Sequence, residues 1–285
     1  MAYSKKKTEA PKTPKKKLKG PENIEGFEGM TPMQRMRALA LLNETDEGKL
    51  VPASDFDANL RFLEVPDICF QWALGRPGYA MGRIKVLMGY EGSSKTSQQL
   101  WLANLAFMQG GVAAAVYVEH ADSTYHIQQY VRPEFMPHFM CYPCDTLEEA
   151  IKKSYEIQDL FAMMDPEGLV PKVQIFDSIA GATQEKLLDE EYEPGAPKPG
   201  GIGGIMSDFV NAMQTRISRT NTLWAVNNQA KDNIPIGNQM GPPVSEIDKM
   251  VGKGGRALPF HATYHEIVKK MGGIKEESDV TVSGK

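Results

Sequence analysis

The chain has 285 residues, 41% of them hydrophobic, and a formal net charge of −4 at pH 7. This length and composition are typical of one large or two small globular domains with a sizeable core. The sequence has three cysteines and no uninterrupted run of about 18 apolar residues, so it predicts neither a disulfide framework nor a transmembrane helix. We expect a soluble, cytoplasmic protein with no membrane partner.

The amino-terminal segment differs in charge from the rest of the chain. Residues 1–20 contain eight lysines and one glutamate, so the remainder is strongly acidic. Residues 1–29 are rich in Lys, Pro and Gly and are predicted to be disordered. A basic tail on an acidic body indicates an arm that contacts a polyanion. A solvated tail without a partner, or an added expression segment, fits the same composition.

A short helix is predicted within residues 30–50. Thr31 is a favourable cap and Pro32 suits the first helical position. An apolar stripe at three- and four-residue steps follows: Met33, Met36, Leu39, Ala40 and Leu42. A short helix cannot bury such a stripe alone. We expect it to pack on its own core or on a neighbouring subunit, as an oligomerisation helix.

Residues 51–285 form the predicted core, in which apolar strands alternate with helical patterns. The strand candidates are Arg83–Met88, Val112–Val118, His138–Tyr142, Val173–Asp177 and Thr222–Asn228. The helix candidates are Lys95–Gln109, Ser123–Val131, Thr146–Met163 and Ile205–Arg219. This alternation predicts an α/β fold with a mostly parallel sheet covered by helices on both faces. Ligands of such sheets bind at the carboxyl ends of the strands.

A candidate phosphate-binding loop lies between the first of these strands and its helix. Its nucleotide-binding candidates are Gly89, Tyr90, Glu91, Gly92, Ser93, Ser94, Lys95, Thr96 and Ser97. Backbone N–H groups of such a loop point at phosphates, and the helix start adds positive potential. The lysine suits the β- and γ-phosphates, and the threonine hydroxyl suits Mg²⁺. Ser94 stands where the pattern has glycine, so an ordinary glycine-containing turn stays open as an alternative.

Polar residues follow three of the predicted strands. Glu119 follows the second strand, Asp177 ends the fourth, and Asn228 and Gln229 end the fifth. One carboxylate can hold water at Mg²⁺, a second can orient an attacking water, and an amide can sense the γ-phosphate. Strands often end in polar residues, so each of these residues alone is weak evidence for a functional site. Their order after a phosphate loop predicts a nucleotide-hydrolysing site.

Two linkers, Gln184–Gly204 and Ala230–Lys253, are long and glycine-rich. Loops of this length at the carboxyl edge of a sheet are commonly functional.

Two spacings typical of metal sites are interpreted as structural. Cys141 and Cys144 lack a second cysteine pair. His261 and His265 are four residues apart, but His265 and the following glutamate fall in a predicted strand over Thr263–Lys269, not in a helix.

These ordered features resemble the bacterial and phage RecA recombinase family, from about Ile68 to Lys275. The similar segments are Ala73-Leu74-Gly75, Met81-Gly82-Arg83-Ile84, the loop with Glu91, Val118-Glu119-His120-Ala121, Asp177-Ser178-Ile179-Ala180, Asn221-Thr222-Leu223, Asn228-Gln229, and Gly254-Gly255-Arg256-Ala257-Leu258 with Phe260. The resemblance implies a RecA-type P-loop ATPase core, preceded by a short amino-terminal helix.

The resemblance also implies ATP and Mg²⁺ as cofactors. Lys95 and Thr96 would bind the triphosphate and Mg²⁺, and Asp177 would support the metal. Glu119 would activate the attacking water, so it is the first catalytic candidate beside Lys95. Gln229, the third, would couple the γ-phosphate to bound DNA.

The adenine would lie near Asp122 and stack on Tyr125. The two glycine-rich linkers would be DNA-binding loops. Their candidate contacts are Gly200, Gly201, Gly203, Gly204, Lys231, Asn233, Gly237, Lys253, Gly254, Gly255 and Arg256. The implied partners are single-stranded DNA, double-stranded DNA and other copies of the chain. The protein would form a helical filament on single-stranded DNA and exchange strands with a homologous duplex, with DNA-stimulated ATP hydrolysis.

Some features depart from the family. Ser94 replaces a glycine, Asp122 and Tyr125 lie one residue closer to Glu119, and the second linker is nearly neutral in charge. The family continues past residue 285 with another strand and a small carboxyl-terminal domain. Two other functions therefore stay open: a ring-forming helicase or motor of the same superfamily, and a DNA-binding filament protein in which Ser94 prevents hydrolysis.

Overall fold

The structure is a computed structural model that describes residues 19–43, 60–118, 124–184, 201–232, 250–252, 255 and 257–269. The chain divides into two compact units, Met1–Asn59 and Leu60–Lys285. No helix in these described ranges is both long and apolar enough to cross a membrane.

In the first unit, helix α1 spans Pro32–Leu42. Its start is a capping box, in which the Gln34 N–H donates to Thr31 Oγ1 and the Thr31 N–H donates to Gln34 Oε1. Residues 19–29, which we predicted to be disordered, instead contain two single-turn 3-10 helices. Arg35 donates to the carbonyls of Phe27 and Glu28, which ties the second turn to α1. No residue of α1 is fully buried. Of the stripe that we predicted, Met33 and Met36 are exposed, whereas Leu39, Ala40 and Leu42 are partly buried.

The second unit is built on one large sheet and one small sheet. The small sheet pairs β1 with β2 in antiparallel fashion, and neither strand was predicted. The strands are β1 (Phe62–Glu64), β2 (Gly78–Ala80), β3 (Ile84–Gly89), β4 (Val112–Tyr117), β5 (Met140–Pro143), β6 (Lys172–Asp177), β7 (Thr222–Asp232), β8 (Met250–Gly252) and β9 (Tyr264–Val268). The helices are α2 (Ile68–Leu74), α3 (Lys95–Met108), α4 (Thr124–Tyr130), α5 (Leu147–Met164), α6 (Gly201–Thr220) and α7 (Ala257–His261).

The large sheet has the strand order β5-β4-β6-β7-β3-β9, and all of these neighbours are parallel. Strand β8 pairs antiparallel with the end of β7. On one face, Val116, Phe176 and Trp224 pack in a core shared with α5 and α6. On the other face, Ala115 and Ile175 pack in a core shared with α3 and α4. The predicted α/β fold, with a parallel sheet between helices, is confirmed.

The boundaries of several elements differ from the predictions. Helix α6 begins at Gly201, four residues before the predicted start, so the first glycine-rich linker is shorter than predicted. Glycine weakens a helix by about 1 kcal/mol, but Ile202 and Ile205 pack against the core and favour the helical turn. Strand β7 extends to Asp232, and its pairing with β8 makes the base of the second linker a hairpin.

Candidate nucleotide site at the carboxyl edge of the sheet

The loop between β3 and α3 has two residues in the left-handed conformation. Gly92 has φ 69°, and Ser94, immediately before α3, has φ 63° and ψ 30°. A residue with a Cβ is disfavoured in this region, which is why glycine suits it. The departure that we noted at Ser94 therefore falls on a position where the backbone itself favours glycine.

Gly89, the last residue of β3, lies where a side chain has no room. A Cβ at this position would come within 2.6 Å of the Val268 carbonyl on β9 and within 2.5 Å of Ser93 Oγ. Ser93 Oγ in turn donates to the Tyr90 carbonyl at 2.7 Å. The loop thus folds back tightly on its own start, and β9 lies directly beside it.

Lys95 and Thr96, the first residues of α3, point in different directions. Lys95 Nζ donates to the carbonyls of Gly89 at 3.0 Å and Tyr90 at 2.8 Å, so its ammonium lies across the loop. Thr96 Oγ1 donates to Asp177 Oδ2 at 2.6 Å. Asp177 ends β6 and is almost fully buried. The Thr96 hydroxyl and the Asp177 carboxylate, which we predicted separately as metal-binding groups, are therefore in direct contact.

A cavity of about 310 Å³ opens over this loop. Gln229 contributes from β7, where it pairs in register with Gly89. The residues that line the cavity are Glu91, Gly92, Ser93, Ser94, Lys95, Thr96, Ser97, His126, Asp177, Ser178 and Gln229. Pockets of roughly 300–1,000 Å³ are typical of small-molecule sites. Most of the predicted nucleotide-binding residues thus border one cavity.

His126 is a cavity residue that the sequence analysis missed. Its Nε2 lies 3.4 Å from Ser97 Oγ, and its ring packs edge-on against Tyr130. Tyr125, which we predicted to stack on adenine, is 73% exposed and does not line the cavity. Since Ile127 is buried in the core, α4 turns His126 toward the cavity and Tyr125 away from it. The helical pattern around Ile127 was the signal that could have identified His126.

The three consecutive amide residues of β7, Asn227, Asn228 and Gln229, have separate environments. Gln99 Nε2 on α3 donates to Asn227 Oδ1 at 2.9 Å inside the protein. The Asn228 side chain occupies the space that a Cβ at Gly252 on β8 would need. Of the three amides, Gln229 is the one that faces the cavity.

The predicted DNA-binding residues are only partly within the described structure. Gly201, Gly203 and Gly204 lie in the first turn of α6 rather than in a loop, and Lys231 lies in β7. Gly255 has φ 82°, and a Cβ on it would lie 3.6 Å from the Gly203 Cα. The two glycine-rich segments therefore approach each other. Outside the described residues lie Gly200, Asn233, Gly237, Lys253, Gly254 and Arg256, together with the predicted site residues Glu119 and Asp122.

The structure describes most residues of the two metal-like spacings. Cys141 is exposed and Cys144 is buried, and burial raises the pKa of the Cys144 thiol to about 11. His265 and Glu266 lie on strand β9. Among the described residues there is no group of three or more His, Cys, Asp and Glu side chains suited to holding a metal ion.

Comparison with known proteins identifies the family. Residues 49–285 match the family described as the RecA N-terminal domain. The proteins named Protein RecA of Francisella philomiragia subsp. philomiragia and Francisella tularensis subsp. novicida are each 32% identical to this chain over 215 residues. The chain belongs to the RecA family. The aligned part covers 75% of this chain and 54% of each relative, so the chain spans about half the length of these RecA proteins.

Proposed function

We propose that the protein binds ATP with Mg²⁺ at the carboxyl edge of the sheet and hydrolyses it when bound to DNA. The observation that carries this proposal is the 2.6 Å contact between Thr96 Oγ1 and Asp177 Oδ2, in a cavity that Lys95 also lines. Mg²⁺ favours a few protein oxygen ligands together with phosphate and water. One hydroxyl and one carboxylate at the floor of an open cavity fit that preference.

Each wall of the cavity has a distinct role in this proposal. The loop from Gly89 to Ser94 directs backbone N–H groups at the phosphates, while Lys95 binds the β- and γ-phosphates. Bound Mg²⁺ would offset the phosphate charge. His126 replaces Tyr125 in our proposal as the side chain of α4 that contacts the nucleoside, since it lines the cavity beyond Ser97. Glu119 remains the proposed base for water.

We further propose that the protein is a recombinase that assembles as a filament on single-stranded DNA and pairs it with a duplex. Membership in the RecA family supports this function. The approach of Gly203 to Gly255 also supports it, because one DNA strand could contact both glycine-rich segments. Backbone N–H groups of such segments can bind phosphates without sequence preference. The exposed part of the α1 stripe, with Met33 and Met36, is the proposed contact with the next subunit.

The test is ATP hydrolysis by the full chain with and without single-stranded DNA, followed by a strand-exchange assay. We expect hydrolysis that requires Mg²⁺ and increases with DNA, and its loss in Lys95→Ala. Wild-type turnover in Lys95→Ala would contradict the proposed site. Hydrolysis without strand exchange, with closed rings in electron micrographs, would indicate the motor function instead.

A further inference from the structure

A cluster of polar side chains lies in the core behind the phosphate loop, outside the cavity. Its centre is Glu266 on β9. Glu266 Oε1 accepts from the Tyr79 hydroxyl at 2.6 Å. Glu266 Oε2 lies 3.1 Å from Lys85 Nζ and accepts from Gln98 Nε2 at 3.3 Å. One carboxylate thus joins side chains from β2, β3 and α3.

Burying these charged and polar side chains costs free energy. Lys85 and Tyr79 are fully buried, whereas the Glu266 side chain is 22% exposed. Burial lowers the pKa of the Lys85 ammonium, and the nearby Glu266 carboxylate opposes that shift. Burial, followed by the charge of Glu266, raises the pKa of the Tyr79 hydroxyl. Well-packed apolar side chains would often be equally or more stabilising than a buried ion pair. A contribution to stability is therefore a weak explanation for the presence of these residues in the core.

The cluster adjoins the nucleotide site through one residue, Gln98, whose neighbour Ser97 lines the cavity. Gln98 is the fourth residue of α3 and completes the helical turn that Lys95 begins. Within the described part of the chain, the Gln98 Oε1 atom is buried and has no hydrogen-bond partner. The bond from Gln98 Nε2 to Glu266 is therefore the side-chain contact that orients this amide.

Strand β9 also contacts the other end of the loop. Its Val268 carbonyl lies close enough to Gly89 to exclude a Cβ there, and Val268 pairs in register with Gly89. Strand β9 thus contacts the start of the loop at Gly89 and the first turn of the following helix at Gln98. Helix α7 packs against α6 and lies between Gly255 and β9 in the chain. Strand β9 is therefore linked through α7 to the second glycine-rich segment, and it also contacts the phosphate loop and α3.

We propose that Glu266 is a positioning residue of the nucleotide site, which holds the first turn of α3 through Gln98 while Lys85 and Tyr79 hold Glu266. This inference rests on the proposed nucleotide binding. It assigns Glu266 no contact with substrate. The bond restrains the helix start that carries Lys95 and Thr96, so losing it weakens nucleotide binding before it affects the chemical step.

The first experiment removes the bond and leaves the ion pair. In Gln98→Met the side chain keeps its length but cannot donate to Glu266. The control is Gln214→Met, on the exposed face of α6 and away from the cavity. We expect the Kd for a fluorescent ATP analogue with Mg²⁺, and the KM for ATP, to rise about three- to tenfold in Gln98→Met, as for one lost hydrogen bond. The kcat and the melting temperature should match those of the control.

The second experiment separates positioning from stability. The triple variant Tyr79→Phe/Lys85→Met/Glu266→Leu replaces the buried pair, and the tyrosine hydroxyl that bonds to Glu266, with apolar groups, which is often neutral or stabilising. We expect it to keep the wild-type melting temperature and to show the same rise in KM as Gln98→Met. The single variant Glu266→Leu leaves Lys85 buried without a counter-charge and should melt at a lower temperature. If the triple variant does not fold, Gln98→Met alone tests the positioning role.

Three outcomes overturn the inference. Wild-type nucleotide affinity in Gln98→Met, measured alongside a clear loss in Lys95→Ala, would contradict the positioning role while leaving the nucleotide site intact. Equal binding by wild type and Lys95→Ala, or no binding by either, would contradict the proposed function, and the inference would fall with it. A loss of kcat at unchanged KM would also contradict positioning of the bound nucleotide.

Discussion

Two groups of the same residue types lie at opposite ends of strand β6. At the carboxyl end, Asp177 meets Thr96 beside Lys95. At the amino end, Lys172 bonds to Asp165 Oδ2 at 2.5 Å and to the Thr220 carbonyl at 3.0 Å. Both groups contain a lysine, an aspartate and a threonine. Composition alone would not distinguish them.

What distinguishes the two groups is whether an open cavity reaches them. Lys172 is fully buried, and a third bond to the Val170 carbonyl accounts for all three of its N–H donors. The Thr220 hydroxyl bonds to Gln158 Oε1 and to the Thr222 hydroxyl. The carboxyl-end group instead borders an open cavity. A closed, satisfied group stabilises the fold, whereas an open one can bind a ligand.

The largest expected effect tests the closed group. Lys172→Met leaves the Asp165 carboxylate buried without its counter-charge and should cost about 3–5 kcal/mol of unfolding free energy. Lys95→Met, the matched control, should change stability little because its lysine lies at an open site. Urea denaturation measures both. Similar losses of stability in the two variants would remove the distinction between the groups.

The two threonines make a second matched pair. Thr96→Val should lower Mg²⁺-dependent hydrolysis on the order of 100-fold and leave folding intact, since it removes a proposed metal ligand. Thr220→Val should instead cost about 1–3 kcal/mol of stability, because Gln158 and Thr222 lose a buried partner. Hydrolysis per folded molecule should stay at the wild-type rate in Thr220→Val. The contrast fails if both variants lose the same property.

Acid titration sharpens the description of the closed group. Burial tends to raise the pKa of the Asp165 carboxyl, but hydrogen bonds from Lys172 and from the N–H groups of Val170 and Leu169 outweigh it and lower the pKa to about 2. The ionised carboxylate therefore stabilises the fold above about pH 4, and this contribution is lost as pH falls toward 2. We expect the stability gap between wild type and Asp165→Asn to narrow between pH 5 and pH 2.5, with salt held constant. A constant gap would contradict the lowered pKa.

The smallest expected effect concerns the backbone of the open group. Ser94→Gly relieves a left-handed conformation and should raise stability by about 0.5–1 kcal/mol. Asn221, with φ 55°, is the matched control, because its side chain donates to the Gly168 carbonyl and asparagine tolerates this conformation. Asn221→Gly should not be stabilising. Thermal melts compare the two, and lower stability in Ser94→Gly would show that the serine side chain compensates for its backbone.

The sequence predicted the long elements of the fold because each carries a sustained apolar pattern. Strands β1 and β2 have only three residues each, which is too short for an alternating pattern to be recognised. The start of α6 was also missed, because Gly201, Gly203 and Gly204 disfavour a helix that tertiary packing nevertheless supports. Local preference and packing disagree there, and packing determines the structure.

The candidate site was predictable where it depends on motifs near strand ends. Lys95 and Thr96 follow a loop pattern, and the parallel sheet brings Asp177 and Gln229 to the same edge. His126 required the orientation of α4, which depends on how that helix packs. The sequence analysis considered Glu266 only as part of a possible metal-binding spacing with His261 and His265. Its partners on β2, β3 and α3 are distant in sequence, so only the folded chain brings them together.

The strand order also determines when the site can form during synthesis. Strand β3, which leads into the phosphate loop, lies between β7 and β9, and both of these are far downstream in the chain. At about 5–20 residues per second, a nascent chain carries β3 unpaired for many seconds while β4, β5 and β6 can already associate. Nucleotide capture by ribosome-bound chains of increasing length should therefore begin only after Val268 has emerged. The phosphate loop is synthesised early, but the strands that flank β3 are synthesised only much later.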